Sequence, residues 1–192
     1  VDFDGEYVTE LATGKQISRS QIGNNVMCFS NAPLSASEAF SSPVSPPPFM
    51  VGMAEVEIDK ETGVLELIDY VAVVDCGTVI NPNLARVQVE GGIAQGIGMA
   101  LYEDVVYNEK GKNFSNSLMQ YKIPTRLDVG TIRVEFESSY EPTGPFGAKS
   151  IGEIVINTPS PAISNAIQNA TGVIIRELPM TAEKIYRGIC ER

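Results

Sequence analysis

The segment from Pro145 to Glu153, PFGAKSIGE, brings a lone carboxylate, Glu153, to the end of a loop punctuated by Gly147 and Gly152. Glycines at these places let the backbone run close to another group or take positive φ, and a loop held in that way aims a single side chain. The chemistry open to such a carboxylate is proton abstraction, if it is partly buried beside a group whose proton it takes. The structural alternative is a solvated carboxylate, or an ion pair with Lys149 four residues earlier, and exposed pairs of that kind contribute little.

A second cluster lies in QVEGGIAQGIGMALYE. Gln88 and Gln95 are seven residues apart, so on a helix they project at similar angles and present amide donors and acceptors to a polar ligand, or simply to water. The same stretch carries Gly91, Gly92, Gly96 and Gly98, and each interior glycine costs a helix about 1 kcal/mol relative to alanine. Two readings explain them: close packing against a sheet or another helix, or a bulky ligand lying against that face. In VVDCGTVINP, Asp75 ends a strand at a glycine turn, where a carboxylate caps the following helix or binds loop backbone. Cys76 beside it reads as a small core residue, with no histidine or second cysteine near enough to share a metal.

The absence of histidine across 192 residues removes the commonest general base, the histidine-dependent triads and most zinc sites. No Walker-type or dinucleotide glycine loop is present. A net charge of −10, from 24 acidic and 14 basic residues with no basic run, argues against nucleic acid as a partner. The apolar runs are too short and too broken by charge to span a bilayer, which predicts a soluble protein without a membrane role. Three widely spaced cysteines (Cys28, Cys76, Cys190) without a CxxC pattern fit a reducing compartment, here read as the cytoplasm, with Cys28 and Cys190 incidental. The start at Val1 leans toward a fragment or a split subunit of something larger.

The elements that must position these residues read as follows. Val1 to about Ile22 carries DG and TG turn signals with short apolar pieces, and SRSQIGNNVM suits a short helix. Asn31 to Pro48 turns to Ser, Pro and Ala, a connector with a candidate capping box from Ser35 to Glu38. From Phe49, MVGMAEVEID and VLELIDYVAVVD alternate on either side of DKETG, which predicts a hairpin. Ile80, Asn81 and Pro82 stop the strand, and Asn83 to Asp104 has helical spacing. A turn at NEKGK, an extended segment around Leu118 to Pro124 and a strand in TIRVEFESSY come next. Pro159 and Ser160 open a helix through Ile163, Ile167 and Ala170, and Thr181 caps a last one running to Ile189. Hairpins mixed with helices, without regular alternation, predict an α+β fold with mixed or antiparallel strands.

Taken in order, SPPPFMVGMAEVEIDKETG, VVDCGTVINP, QVEGGIAQGIGMALYE, YKIPT, GPFGAKSIGE and LPMTAEKI resemble the molybdenum hydroxylase family of xanthine dehydrogenase and aldehyde oxidase. The resemblance covers nearly the whole chain and points to the C-terminal part of the molybdopterin-binding domain. It implies one such portion over residues 1–192, with a connector lobe at 1–48 and a main α+β body at 49–192.

In that family, molybdenum held by the dithiolene of molybdopterin, often as the cytosine dinucleotide in bacteria, hydroxylates a carbon of a purine, N-heterocycle or aldehyde with oxygen from water. The resemblance implies that Glu153 is the catalytic base, taking a proton from a hydroxyl on the metal as that oxygen attacks the substrate. An already acidified hydroxyl needs no more than a carboxylate at hydrogen-bond distance. It also implies that Gln88 hydrogen-bonds the cofactor, that glycines such as Gly91 let the helix approach the pterin, and that Gly147 and Ala148 lie near the same site. No side chain here is offered as a metal ligand.

The family's other cofactor loops lie upstream of anything present in this sequence, so the resemblance implies an incomplete site. Its partners would be the upstream segment of the molybdopterin subunit, a [2Fe-2S] protein and an FAD protein, on other chains or domains. Two alternatives stay open: a non-catalytic scaffold or assembly fragment of the same fold, and a relative of the carbon monoxide dehydrogenase type.

Overall fold

The computed structural model of the chain describes residues 1–30 and 35–191. Two compact units emerge, Val1–Ser41 and Ser42–Arg192. In the first, β1 (Asp2–Phe3), β2 (Tyr7–Thr9) and β3 (Gln16–Ser18) form a small antiparallel sheet in that order, followed by α1 (Arg19–Phe29). The helix starts at Ser18 because a capping box closes there. The Gln21 amide donates to Ser18 Oγ at 3.2 Å, and the Ser18 amide donates to Gln21 Oε1 at 3.1 Å. The turn signals at Gly5 and Gly14 join the three short strands. Ser35–Glu38, predicted as a capping box, opens no helix, and Asn31–Leu34 of the same connector lies outside the described residues.

The second unit is built on β4 (Phe49–Ile58), β5 (Leu65–Asp75) and β6 (Thr131–Phe136), with β5 in the middle. β4 and β5 form the predicted hairpin, from Phe49 opposite Asp75 to Ile58 opposite Leu65, with a register shift between Glu55 and Val56. Its turn is made by Asp59, whose Oδ1 accepts from the Glu61 amide at 2.9 Å and whose carbonyl accepts from the Gly63 amide at 2.7 Å. β6 runs parallel to β5, Asp69 opposite Thr131. A parallel neighbour requires a long crossover, and α2 (Pro82–Leu101) lies within it.

Alternation along β5 buries Tyr70, Ala72 and Val74 on one face, and Leu67 is buried too, beyond Ile68, which is skipped at the register shift. Onto this core pack α2, through Val89, Ile93 and Ile97, and α4 (Pro159–Thr171), through Ile163 and Ile167. Full burial of each large aliphatic side chain contributes about 1.5–3 kcal/mol, enough to offset the glycines that weaken α2. The Tyr70 hydroxyl, in this apolar layer, donates to Thr158 Oγ1 at 2.8 Å. α3 (Ile154–Asn157) precedes α4, and α5 (Ala182–Cys190) starts at Thr181, whose side chain accepts from the Lys184 amide as predicted. Antiparallel and parallel pairings in one sheet, with helices packed on it, give the α+β class expected from the sequence.

The extended segment predicted around Leu118 to Pro124 is instead a turn followed by irregular chain. The Ser117 carbonyl accepts from the amides of Gln120 and Tyr121, at 3.0 and 2.8 Å, and so curls the backbone before a strand can form. Among the described residues, no helix is long and apolar enough to cross a membrane.

Candidate active site

The site begins where β5 ends. Asp75 Oδ1 accepts from the Gly77 amide at 3.0 Å and from Ser139 Oγ at 2.6 Å, so its carboxylate organises loop backbone, one of the two roles read from the sequence. The other role, capping the next helix, falls to Asn81, whose Oδ1 accepts from the Leu84 amide at 3.1 Å. Lys149 closes the cluster with its Nζ 2.6 Å from Asp75 Oδ2. Lys149 first, then Ser139, holds the Asp75 carboxyl at about 2, below its ordinary value of 3.8. Cys76 is buried and apolar burial pushes its thiol up, as expected of a core cysteine. Cys28 and Cys190 are exposed free thiols.

The glycine-rich loop is clasped to this strand end. The Thr78 amide donates to the Gly147 carbonyl at 2.8 Å and the Lys149 amide to the Cys76 carbonyl at 2.7 Å. Gly147 is required here: its φ is +83°, and a β-carbon would stand 2.6 Å from Thr78 Oγ1. Beside it Phe146 takes a φ of +55°, uncommon for a residue with a side chain.

From this clasp the chain reaches Glu153, which stands at the head of α3. Its carboxylate caps no backbone amide, and among the described residues it joins no ion pair. The pairing with Lys149 considered from sequence therefore does not form, because Lys149 is held by Asp75. Glu153 is exposed in this chain rather than partly buried. It borders a hollow of about 660 Å³ together with Gln88, Gly91, Gln95, Gly152 and Asn157. The other side of Gln88 and Gly152 faces a second hollow, of about 440 Å³, whose walls are largely apolar: Val79, Ile80, Leu84, Ala85 and Ile151, with Ala148 and Lys149 at one side. Gly147 is buried and lines neither.

The four glycines of α2 divide between the two readings. A β-carbon on Gly92 would overlap Val155 of α3, one on Gly96 would come within 2.6 Å of Pro159, and one on Gly98 would meet Glu103 and Pro124. Those three are packing glycines. Gly91 has nothing within 4 Å of such a carbon and opens onto the hollow beside Glu153.

A family model described as the molybdopterin cofactor-binding domain matches residues 1–130. The probable hypoxanthine oxidase XdhD of Escherichia coli (strain K12) is 37% identical over 146 residues, 74% of this chain and 15% of that one. The chain belongs to the molybdopterin cofactor-binding domain family of the molybdenum hydroxylases. The crystal structure of quinoline 2-oxidoreductase from Pseudomonas putida 86 matches with a TM-score of 0.69 and 41% identity, over 72% of this chain and 18% of that one. Carbon monoxide dehydrogenase from Oligotropha carboxidovorans matches over 99% of this chain and 25% of that one, with a TM-score of 0.82 at 22% identity, a likeness of fold. The chain spans only 15–20% of the length of the curated relatives it matches. Gln88 and Gly91 fall inside the segment matched by the family model, and Gly147, Ala148 and Glu153 lie beyond it.

The residues present fit such a cofactor. The larger hollow offers amide donors and acceptors from Gln88, Gln95 and Asn157 to a pterin edge, and Gly91 leaves open space for a flat ring to approach the helix. No group of three or more His, Cys, Asp or Glu that could hold a metal ion occurs among the described residues. Sequence reading missed two residues here. Asn157, the last residue of α3, drew no notice, and Lys149 was weighed only as a surface partner of Glu153.

Proposed function

We propose that this chain is the part of a molybdenum hydroxylase that supplies the catalytic base, Glu153, and one wall of the molybdopterin pocket. The observation that supports this best is the shared hollow of Gln88, Gly91 and Glu153, three residues brought together from α2 and the head of α3. When bound, the cofactor would supply the redox chemistry for hydroxylating a substrate carbon with oxygen from water, a two-electron oxidation of the substrate. Glu153 accepts the proton released in that reaction. Its carboxylate is available for the purpose, since among the described residues it is committed neither to a cap nor to an ion pair. Gln88 orients the cofactor through its amide, Gly91 admits it to the helix face, and Ala148 forms a wall from the adjoining loop. Gly147 contributes by shaping that loop.

The substrates in this reading are purines, N-heterocycles or aldehydes. The pterin is carried as molybdopterin or its cytosine dinucleotide, and electrons leave through [2Fe-2S] and FAD groups on partner chains or domains. The upstream part of the molybdopterin subunit completes the pocket. In this reading the assembly works in the reducing cytoplasm, and three free cysteines, two of them exposed, support it.

The test is Glu153→Gln in the assembled enzyme, assayed with hypoxanthine, quinoline and benzaldehyde. Turnover falls by at least a hundredfold, within the range for loss of a general base. Molybdenum and pterin content stay at the wild-type level. Retained turnover at full cofactor content overturns the assignment.

A further inference from the structure

We propose that Lys149 is a positioning residue for Glu153: paired with Asp75, it ties the loop before Glu153 to the end of β5 and so sets where the carboxylate stands beside Gln88. The proposal rests on the reading of Glu153 given above.

Lysine is almost never fully buried unless paired, and the Lys149 side chain is only 7% exposed although it lies on a loop. Three contacts hold it there. Its Nζ donates to Asp75 Oδ2 at 2.6 Å, the same ammonium lies 5.4 Å from the centre of the Phe49 ring, and its backbone amide donates to the Cys76 carbonyl. Asp75 is in turn fixed by Ser139 and the Gly77 amide. The loop therefore meets the strand end in one register.

Only Ser150, Ile151 and Gly152 separate this clasp from Glu153. Four peptide steps reach at most about 14 Å, so the clasp bounds the position of the Glu153 backbone from one side. Val155, packed where Gly92 lacks a side chain, bounds it from the other. Glu153 is thus strung between two fixed points, of which Lys149 is the electrostatic one. Removing the ammonium leaves Asp75 without its cation and releases the loop, while the hydrophobic core stays as it was.

The test uses the assembled enzyme with Lys149→Met, Lys149→Arg, Asp75→Asn and the double variant Lys149→Met/Asp75→Asn. Amide hydrogen exchange at Thr78 and Lys149 reads the clasp directly and needs no substrate. Turnover per bound molybdenum, with hypoxanthine, quinoline and benzaldehyde as probes, reads the placement of Glu153. In Lys149→Met the two amides exchange at least tenfold faster. Turnover per bound molybdenum falls at least tenfold, with KM within twofold of wild type. Lys149→Arg restores most of both, and the double variant is no worse than the poorer single one. A purely structural lysine would lower the Tm and the molybdenum content yet leave turnover per bound molybdenum unchanged, and that result overturns the proposal, as does unchanged exchange. Glu153→Gln run in parallel separates the two readings. If it retains turnover, the base assignment fails, whereas an inactive Glu153→Gln beside an unimpaired Lys149→Met refutes the positioning role alone.

Discussion

Val155 of α3 occupies the space that a side chain on Gly92 of α2 would need, while Gly91, one residue earlier, faces open space. Two adjacent glycines on one helix therefore answer to different demands. Gly92→Ala drives a methyl into Val155 and is expected to destabilise the protein by about 1–3 kcal/mol, the usual effect of overpacking. Gly91→Ala meets nothing and gains up to about 1 kcal/mol in helix propensity. Urea denaturation of the two variants measures the contrast. If Gly91 also serves the cofactor, its alanine variant is the more stable protein with the lower molybdenum content.

Gln88 stands at the rim shared by both hollows, so its amide is placed to touch a ligand in either. Gln88→Ala is expected to lower pterin and molybdenum content severalfold, or to slow turnover per bound molybdenum by about tenfold, the scale of one hydrogen bond to a polar group. The fold is untouched, because the side chain is exposed and carries no packing. Metal analysis with pterin release, beside a thermal melt, checks both halves. Wild-type cofactor content and wild-type rate together would remove Gln88 from the site.

Much of the second unit was legible because its signals are local. The alternation on either side of DKETG specifies β4, β5 and their turn, and Asn81–Pro82, Pro159 and Thr181 mark helix starts by cap and proline chemistry. What stayed hidden depends on partners distant in sequence. TIRVEF alternates equally well in a parallel or an antiparallel strand, so its parallel pairing with β5 was not readable. The turn at Ser117 depends on one carbonyl taking two amides, which no residue pattern announces. In the candidate site, Glu153, Gln88 and Ala148 stood out by motif and family resemblance. Lys149 did not, because its partner Asp75 is 74 residues away, and a lysine near a glutamate reads first as a surface pair.

Gly63 offers a control far from the hollows. It closes the β4–β5 turn with a φ of +74°, and a β-carbon there would stand against the Ala182 carbonyl and within 2.8 Å of the Tyr186 amide of α5. Gly63→Ala combines left-handed strain with a backbone clash and is expected to destabilise by about 2 kcal/mol or more. Because the turn touches none of the candidate site residues, turnover per bound molybdenum stays at the wild-type value in protein that remains folded. A thermal melt and a metal-normalised assay test the two claims, and a loss of normalised rate would mean that the site is less local than its geometry indicates.

The Asp75–Lys149 pair sets a pH dependence whose sign is determined. Asp75 has its folded carboxyl lowered to about 2 from 3.8, by Lys149 first and Ser139 second. A carboxyl depressed on folding stabilises the native state fully above its unfolded value, and the contribution is lost as pH falls through the folded value. The stabilisation is therefore complete at neutral pH and disappears between about pH 4 and pH 2. With Asp75 partly exposed, screening reduces its size to about 1–2 kcal/mol. Asp75→Asn cannot ionise, so the stability gap between it and the wild type should be widest near pH 6 and should close toward pH 2. Urea midpoints for both proteins at several pH values read this gap. A gap that stays constant down to the acid end would show that the variant loses hydrogen bonding rather than charge, and that Lys149 is held by its backbone bond and the Phe49 ring instead.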